Sequence, residues 1–415
     1  MTKPQALTAD SPTALALTAE SPNARALARI AACAPRWVAV LSARDALGLP
    51  ERTLLHSGPP LANPCRPPPP MQNAAVLACL HAGWAADEAA AEQLIASGEV
   101  RLEPSHGWRV STPLVCMISA ATPLVVVESG PAAASVRWHA FLGTGAGAQM
   151  RFGARDLTIL ERLALRDREL APGLSELLAA GPLDLLSIAR SALTEGDDLH
   201  NRLSSANQVL HAVLSTRRAE SPAAQAALAT VLAAPLYFLN LWMPACALML
   251  DAAVGVTGSS IVTSMGANGE TVGVRIAGVT DRCFTAPATP VRGPFMKGAP
   301  DNPRFPPATG DSGIIDAFGL GGQVLRRAPS LLAAFEPWLA SDDSARAEGM
   351  LAGFHPVLDV EFGIDAAAVV ASGRAPLLST GMVSADGRGL LGRGVCEMPL
   401  APYAEALRSL PADSG

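Results

Sequence analysis

Charge is scarce in this chain. Only 16% of its 415 residues are Asp, Glu, Lys or Arg, 49% are apolar, and aromatic side chains make up 4%. No long run of Lys and Arg occurs, and the formal net charge is −6. A surface without that basic field excludes nucleic acid and anionic membrane as partners, and a small molecule is the expected ligand. The seven cysteines, at 33, 65, 79, 116, 246, 283 and 396, are odd in number, scattered and without a CxxC pair. That pattern predicts reduced, mostly buried thiols in a cytoplasmic protein rather than a disulfide frame or a zinc site. His56, His106, His200 and His355 lack metal-motif spacing, so neither metal nor cofactor is expected. The GLGG run at 319–322 is neither a Lys-bearing P-loop nor a complete GxGxxG, which disfavours a nucleotide. No basic region followed by an apolar run stands at the beginning, so no targeting segment is expected. The most apolar stretch, 223–256, is interrupted by Pro235, Asn240, Pro244 and Asp251. Hydrocarbon would leave those polar groups unpaired, so a buried helical hairpin is expected there rather than a membrane span.

The remaining pattern predicts a multi-domain α/β (mixed α+β) protein with two α/β portions flanking a central helical module. Residues 1–22 carry the near repeat ALTADSP and ALTAESP, read as a flexible arm. An N-terminal α/β domain is expected over 23–155. It contains an amphipathic helix, a short buried strand at 37–41, a strand at 54–56, a proline-rich loop to Pro70 and a helix over 71–96. Leu124, Val125, Val126 and Val127 form a continuous apolar strand of the kind covered on both faces. Leu- and Ala-rich periodic stretches over 156–235 form the helical module. Gly-rich turns and short strands over 236–415 indicate a second α/β domain.

The densest polar stretch is SALTEGDDLHNR at 191–202, which gathers Glu195, Asp197, Asp198, His200, Asn201 and Arg202. In a chain this poor in charge such a cluster points to a ligand. On a helix it would pair Asp197 with Asn201 and Asp198 with Arg202, and the competing reading is a solvated helix end with an ion pair. Gly310, Asp311, Ser312 and Gly313 surround a carboxylate and a hydroxyl with small residues whose N–H groups can meet an oxyanion; a plain Gly-rich turn is the alternative. Asn268, in an Asn-Gly hairpin turn, could offer an amide to a carbonyl, and Arg275 or Arg151 a fork to a carboxylate. His106 and His56 complete the candidates on the substrate side, although a lone histidine is more often a hydrogen-bonded core or loop residue.

Taken in order, LLHSGPP at 54–60, PSHGWRVSTPLVCMISAATPLVVV at 104–127, MRFGA at 150–154, GDDLHNR at 196–202, the long run at 238–278, TGDSGIIDAFGLGG at 309–322 and LLSTGMVSADGRGLLGRGV at 377–395 resemble the oxamate carbamoyltransferase catalytic-type subunit family of anaerobic allantoin degradation. The resemblance covers nearly everything after residue 22. It implies an enzyme, a transferase moving a carbamoyl group between an oxalurate-like ureido acid and phosphate to give oxamate and carbamoyl phosphate, working with companion subunits. A homo-oligomer is the expected assembly. The chain departs from the family at Ser57, where Ala is usual, at Leu203 for Asn, at Ala267 for Arg, and at FLGTGAGAQ, which replaces an Asn-Glu-Gly run before the RFG element.

Carbamoyl transfer needs anion clamps, oxyanion donors and a proton shuttle, but no protein nucleophile. The chemistry of the residues assigns Arg151, Arg202 and Arg275 to the clamps, and Ser312 with the Gly310 and Gly313 backbone to the oxyanion or phosphate. His200, oriented by Asp198 or Asp311, moves the proton, and Asn201 and Asn268 hold the ureido group. Two other readings stay open: an amide- or ureido-bond hydrolase or cyclase, and a non-catalytic partner subunit or ligand-binding module.

Overall fold

The computed structural model describes residues 21–130 and 135–411. The repeat of the N-terminal arm at 6–12 and 16–22 lies almost wholly outside them. Where the description begins, Ser21 accepts a hydrogen bond from Ala24 N and Pro22 opens the helix Pro22–Ala31, whose Ala26, Leu27 and Ile30 are buried. This is the amphipathic spacing of the sequence carried into packing.

The architecture is mixed α/β. A five-stranded sheet runs in the order Val110–Ser111, Val136–Phe141, Pro123–Ser129, Arg36–Ser42 and Leu183–Asp184. Pro123–Ser129 lies second from neither edge but in the middle, antiparallel to Val136–Phe141 on one side and Arg36–Ser42 on the other, and Leu124 to Val127 are wholly buried. A second sheet of four antiparallel strands runs Val279–Pro287, Thr271–Ile276, Val262–Asn268 and Thr309–Gly310. Parallel strands Thr53–His56 and Arg101–Pro104, and hairpins Leu351–His355/Val360–Ile364 and Leu377–Val383/Leu390–Glu397, complete the β structure.

The apolar stretch 223–256 becomes two helices, Pro222–Ala233 and Leu239–Asp251, separated around Pro235. They do not lie against each other as a simple hairpin. The first packs on Ala171–Leu178 and Ser204–Ser215, whereas the second inserts between the two large sheets, against Pro123–Ser129, Val136–Phe141 and Val262–Asn268. Every residue from Leu239 to Leu250 is buried, because a helix apolar all round has neighbours all round. Among the described residues, no helix is long and apolar enough to cross a membrane. The expected helix over 71–96 is broken into Pro69–His81 and Glu88–Ala96. Gly83 adopts φ +71°, Trp84 N closes onto Cys79 O at 3.0 Å, and Asp87 restarts the helix by accepting from Ala90 N at 2.8 Å.

One apolar cluster includes side chains from Ala26 to Ala406 and so draws on 23–155, 156–235 and 236–415 alike. A second is built around Pro69–His81 and the strand Thr53–His56, and also takes in Ile159, Leu163 and Val383. Residues 53–60, 103–118 and 262–275 meet where these two clusters adjoin, with Asp311 beside them. None of the seven cysteines forms a disulfide, and Cys79, Cys116, Cys246 and Cys396 are buried.

Candidate functional site

The candidate residues separate into three places. The first is a cavity of about 340 Å³ bounded by the Gly58-Pro59-Pro60 turn, His106, Trp108, Arg275 and Asp311. Asp311 follows the short strand Thr309–Gly310, and its carboxylate accepts from Gly58 N at 2.7 Å, Ser105 Oγ at 2.6 Å and Thr112 N at 2.9 Å. One side chain thus ties three separate segments together at the cavity wall. Burial pushes its carboxyl up to about 6, against the three hydrogen bonds, which favour the ionised form. His106 stands on the same wall, its ring edge-on to Trp138 at 5.2 Å. Burial, helped by the Arg275 cation, holds it down to about 4, so it is neutral at pH 7. Arg275 is half-buried and donates from Nη1 to Arg282 O at 3.3 Å.

The other residues of this neighbourhood shape the cavity from behind. Gly58 has φ +75°, and a Cβ there would sit 2.4 Å from Ala267 C, so the turn requires glycine. Asn268 donates from Nδ2 to Pro59 O at 3.0 Å, while its Oδ1 accepts from Glu270 N and Thr271 N. Its amide is therefore spent on the two turns. His56 is fully buried, with Nδ1 2.8 Å from Ser57 O, no partner at Nε2 and a value lowered to about 4 by burial. Ser57, one of the departures from the family pattern, donates to Leu114 O at 2.6 Å. Gly310 pairs with Ala267 in the sheet. Ser312 and Gly313 are buried at the start of the helix Gly313–Phe318, behind the wall rather than on it.

The second place is 196–202, which forms a loop between the helices Leu185–Thr194 and Ser204–Ser215 rather than a helix end. Leu199 takes φ +60°. Asp198 accepts from His200 N, Asn201 N, Asn201 Nδ2 and Arg202 N at 2.7 to 3.2 Å. Asp197 pairs with Arg202 Nη1 at 2.6 Å and caps the next helix by accepting from Ala206 N at 2.8 Å. The ion pair is thus i to i+5, made possible by the loop. His200 Nδ1 lies 2.7 Å from Asp316 Oδ2, and the other oxygen of Asp316 accepts from Gly322 N at 2.8 Å and Ser379 Oγ at 2.9 Å. The two sequence clusters at 196–202 and 309–322 therefore do meet, through His200 with Asp316 and Gly321 N with Asp198 O, rather than through His200 with Asp311. The GLGG run serves this contact: Gly321 has φ +58°, and a Cβ would lie 2.7 Å from Asp316 Oδ1.

Arg151 belongs to the third place, a cavity of about 600 Å³ walled by parts of 143–156, 234–240 and 387–390. The guanidinium lies 4.9 Å from the Phe152 ring centroid, its Nε has no hydrogen-bond partner, and no carboxylate of the described residues pairs with it. Burial lowers it to about 10, which leaves it charged at neutral pH. An unpaired buried cation is costly to retain.

Sequence reasoning passed over Asp316, although it stands in the quoted TGDSGIIDAFGLGG run, and Ser105, which stands beside His106. Tyr237 and Asn240, on the wall of the Arg151 cavity, lie in the apolar stretch where Asn240 already stood out as an interruption. Among the described residues, no group of three or more His, Cys, Asp and Glu could hold a metal ion.

The family model for the oxamate carbamoyltransferase subunit AllG matches residues 100–312, which include His106, Arg151, the 196–202 loop, Arg275 and Asp311. The oxamate carbamoyltransferase subunit AllG of Escherichia coli (strain K12) is 32% identical over 401 residues, covering 92% of this chain and 95% of that protein. An uncharacterized protein of the same organism, YahG, is 29% identical over 384 residues, covering 87% of this chain and 79% of its own length. Among solved structures, a conserved protein of unknown function from Enterococcus faecalis V583 superposes with a TM-score of 0.84 at 26% identity, over 94% of this chain and 96% of that one.

Proposed function

Because the chain belongs to the family of the oxamate carbamoyltransferase subunit AllG, we propose that it carries the reacting centre of a carbamoyltransferase that exchanges a carbamoyl group between an oxalurate-like ureido acid and phosphate. Its companions are further subunits, in keeping with the description of the relative as a subunit. The observation that carries the reading is Asp311: a carboxyl raised to about 6, immobilised by three donors, on a cavity wall shared with the Arg275 cation and a neutral His106.

The chemistry asks little more of the protein. A phosphate oxygen attacks the ureido carbonyl, the bond from that carbon to the inner nitrogen breaks, and the nitrogen leaves as the amide of oxamate. The proton lost by hydrogen phosphate is the one gained by the leaving nitrogen, so the reaction consumes no net acid or base. A carboxyl poised near 6 exists in both forms close to neutrality and can relay that proton. Arg275 offers its fork to the phosphate or the carboxylate, and His106, uncharged, can donate to an oxygen without competing for the anion. The Gly58-Pro59-Pro60 turn and Asn268 hold the walls at a fixed separation, which is what orientation of two reactants requires.

The test is release of carbamoyl phosphate from oxalurate by the chain together with its companion subunits, with and without phosphate. Phosphate-dependent release supports the reading. Phosphate-independent breakdown of oxalurate would replace it with a ureido-bond hydrolase, and binding of ureido acids without any turnover would leave a ligand-binding subunit.

A further inference from the structure

Four residues lining the Arg151 cavity carry buried polar atoms with no partner, of both hydrogen-bonding senses. Arg151 is 7% exposed and its Nε is unsatisfied. Around the same cavity Tyr237 Oη, Asn240 Oδ1 and Gln149 Oε1 are also without partners, in side chains 2%, 3% and 4% exposed. Asn240 and Gln149 each donate one amide N–H, to Tyr237 O and Gly145 O. Each keeps an unpartnered amide oxygen, which can only accept. Arg388 adds an exposed guanidinium at the rim, and Asp156, also on the wall, is engaged with the N–H and hydroxyl of Thr158.

Buried polar groups are normally satisfied, and a set left unsatisfied around one cavity marks what the cavity is shaped to receive. Cationic donors call for an acid group, and amide oxygens that can only accept call for N–H. We propose that this cavity is a second ligand site, taking a small carboxylate that also carries amide or ureido N–H groups. Arg151, with Arg388 at the entrance, takes the carboxylate; Asn240 and Gln149 accept from the ligand nitrogen, and Tyr237 donates to a carbonyl oxygen. All four side chains with these unsatisfied atoms belong to residues that line the cavity. The segment 112–115 links the two cavities directly, since Thr112 N donates to Asp311 and Val115 N to Arg151 O. Occupancy of the second site thus has a short physical route to the first.

The inference goes beyond the reaction placed at Asp311 and rests on binding, so it is tested without turnover. Calorimetric titration of the full chain with oxamate should show saturable binding. Acetate, which lacks N–H, and oxamide, which lacks the acid, should each bind at least tenfold more weakly. Arg151→Met should weaken oxamate at least tenfold, and Tyr237→Phe, which removes one oxygen and leaves the packing in place, severalfold. Asp311→Asn should leave that affinity unchanged. Absence of oxamate binding, equal binding of acetate, or an affinity lowered by Asp311→Asn and untouched by Tyr237→Phe and Arg151→Met would overturn the second site. Oxamate is also the product assigned to the Asp311 cavity, so the variants keep the two readings apart: affinity lost with Arg151→Met and Tyr237→Phe but kept in Asp311→Asn reports on the second site, affinity lost only in Asp311→Asn reports on the reaction site, and phosphate-dependent turnover is read separately.

Discussion

The His200–Asp316 knot and the Asp311 cavity lie a few residues apart in sequence and put their carboxylates to opposite uses. In the knot, Asp198 accepts four hydrogen bonds, Asp316 meets His200, Ser379 and Gly322, and Asp197 meets Arg202 and Ala206. Its polar groups answer one another, and the result is a loop locked against the Gly313–Phe318 helix. At Asp311 the carboxylate is equally well held, but it lines a cavity together with Arg275 and His106. A dense polar cluster in a sequence is thus as readily a structural clasp as a site. What distinguishes them is whether open space adjoins the satisfied groups.

The comparison can be broken first at Asp316. Asp316→Ala leaves His200, Ser379 and Gly322 N without their acceptor in a fully buried setting, so unfolding by urea should show a loss of about 3–5 kcal/mol. A midpoint equal to that of the wild type would dissolve the contrast. Gly321→Ala attacks the same knot through the backbone, placing a methyl 2.7 Å from Asp316 Oδ1 at φ +58°, and should cost about 1–3 kcal/mol in the same measurement. Asp311 gives a pH signature instead. Burial raises it from 3.8 to about 6, so the folded chain holds the proton more tightly than the unfolded one. The stability it contributes is fully present below 3.8 and is lost as pH rises through 6. Relative to Asp311→Asn, the wild type should lose stability between pH 4 and 6, and a gain across that window would contradict the assignment. The smallest effect is expected at Arg202, whose pair with Asp197 is partly open to water. Arg202→Ala should cost on the order of 1 kcal/mol and leave turnover per folded molecule intact. Abolished turnover in a folded variant would return Arg202 to the clamps.

Much of the fold was legible because local pattern and burial coincide. The strand at 124–127 reads as continuous apolar sequence because both its faces are covered, Leu124 to Val127 all being buried, and the Asn-Gly turn reads as a hairpin because Asn268 closes it. The split of 71–96 at Gly83 was not visible, since the run keeps its Ala-rich character across the break. For the candidate site, residue types pointed to Asp311, Arg275 and His106, which share one wall. They could not separate these from His200 or Arg151, because that depends on which neighbour fills each carboxylate and guanidinium. Asp316 sits five residues beyond Asp311, and only the tertiary pairing with His200 tells the two acids apart.

The measurement that most directly tests the central claim is the pH dependence of phosphate-dependent carbamoyl phosphate release by the wild type and by Asp311→Asn, each assembled with its companion subunits. The account predicts a wild-type profile governed by an ionisation near 6. It predicts an Asn variant that folds, lacks that limb and turns over roughly 10²–10⁴-fold more slowly. An Asn variant with the wild-type rate and the same ionisation would show that the proton is carried elsewhere and that Asp311 is a clasp like the one at Asp316.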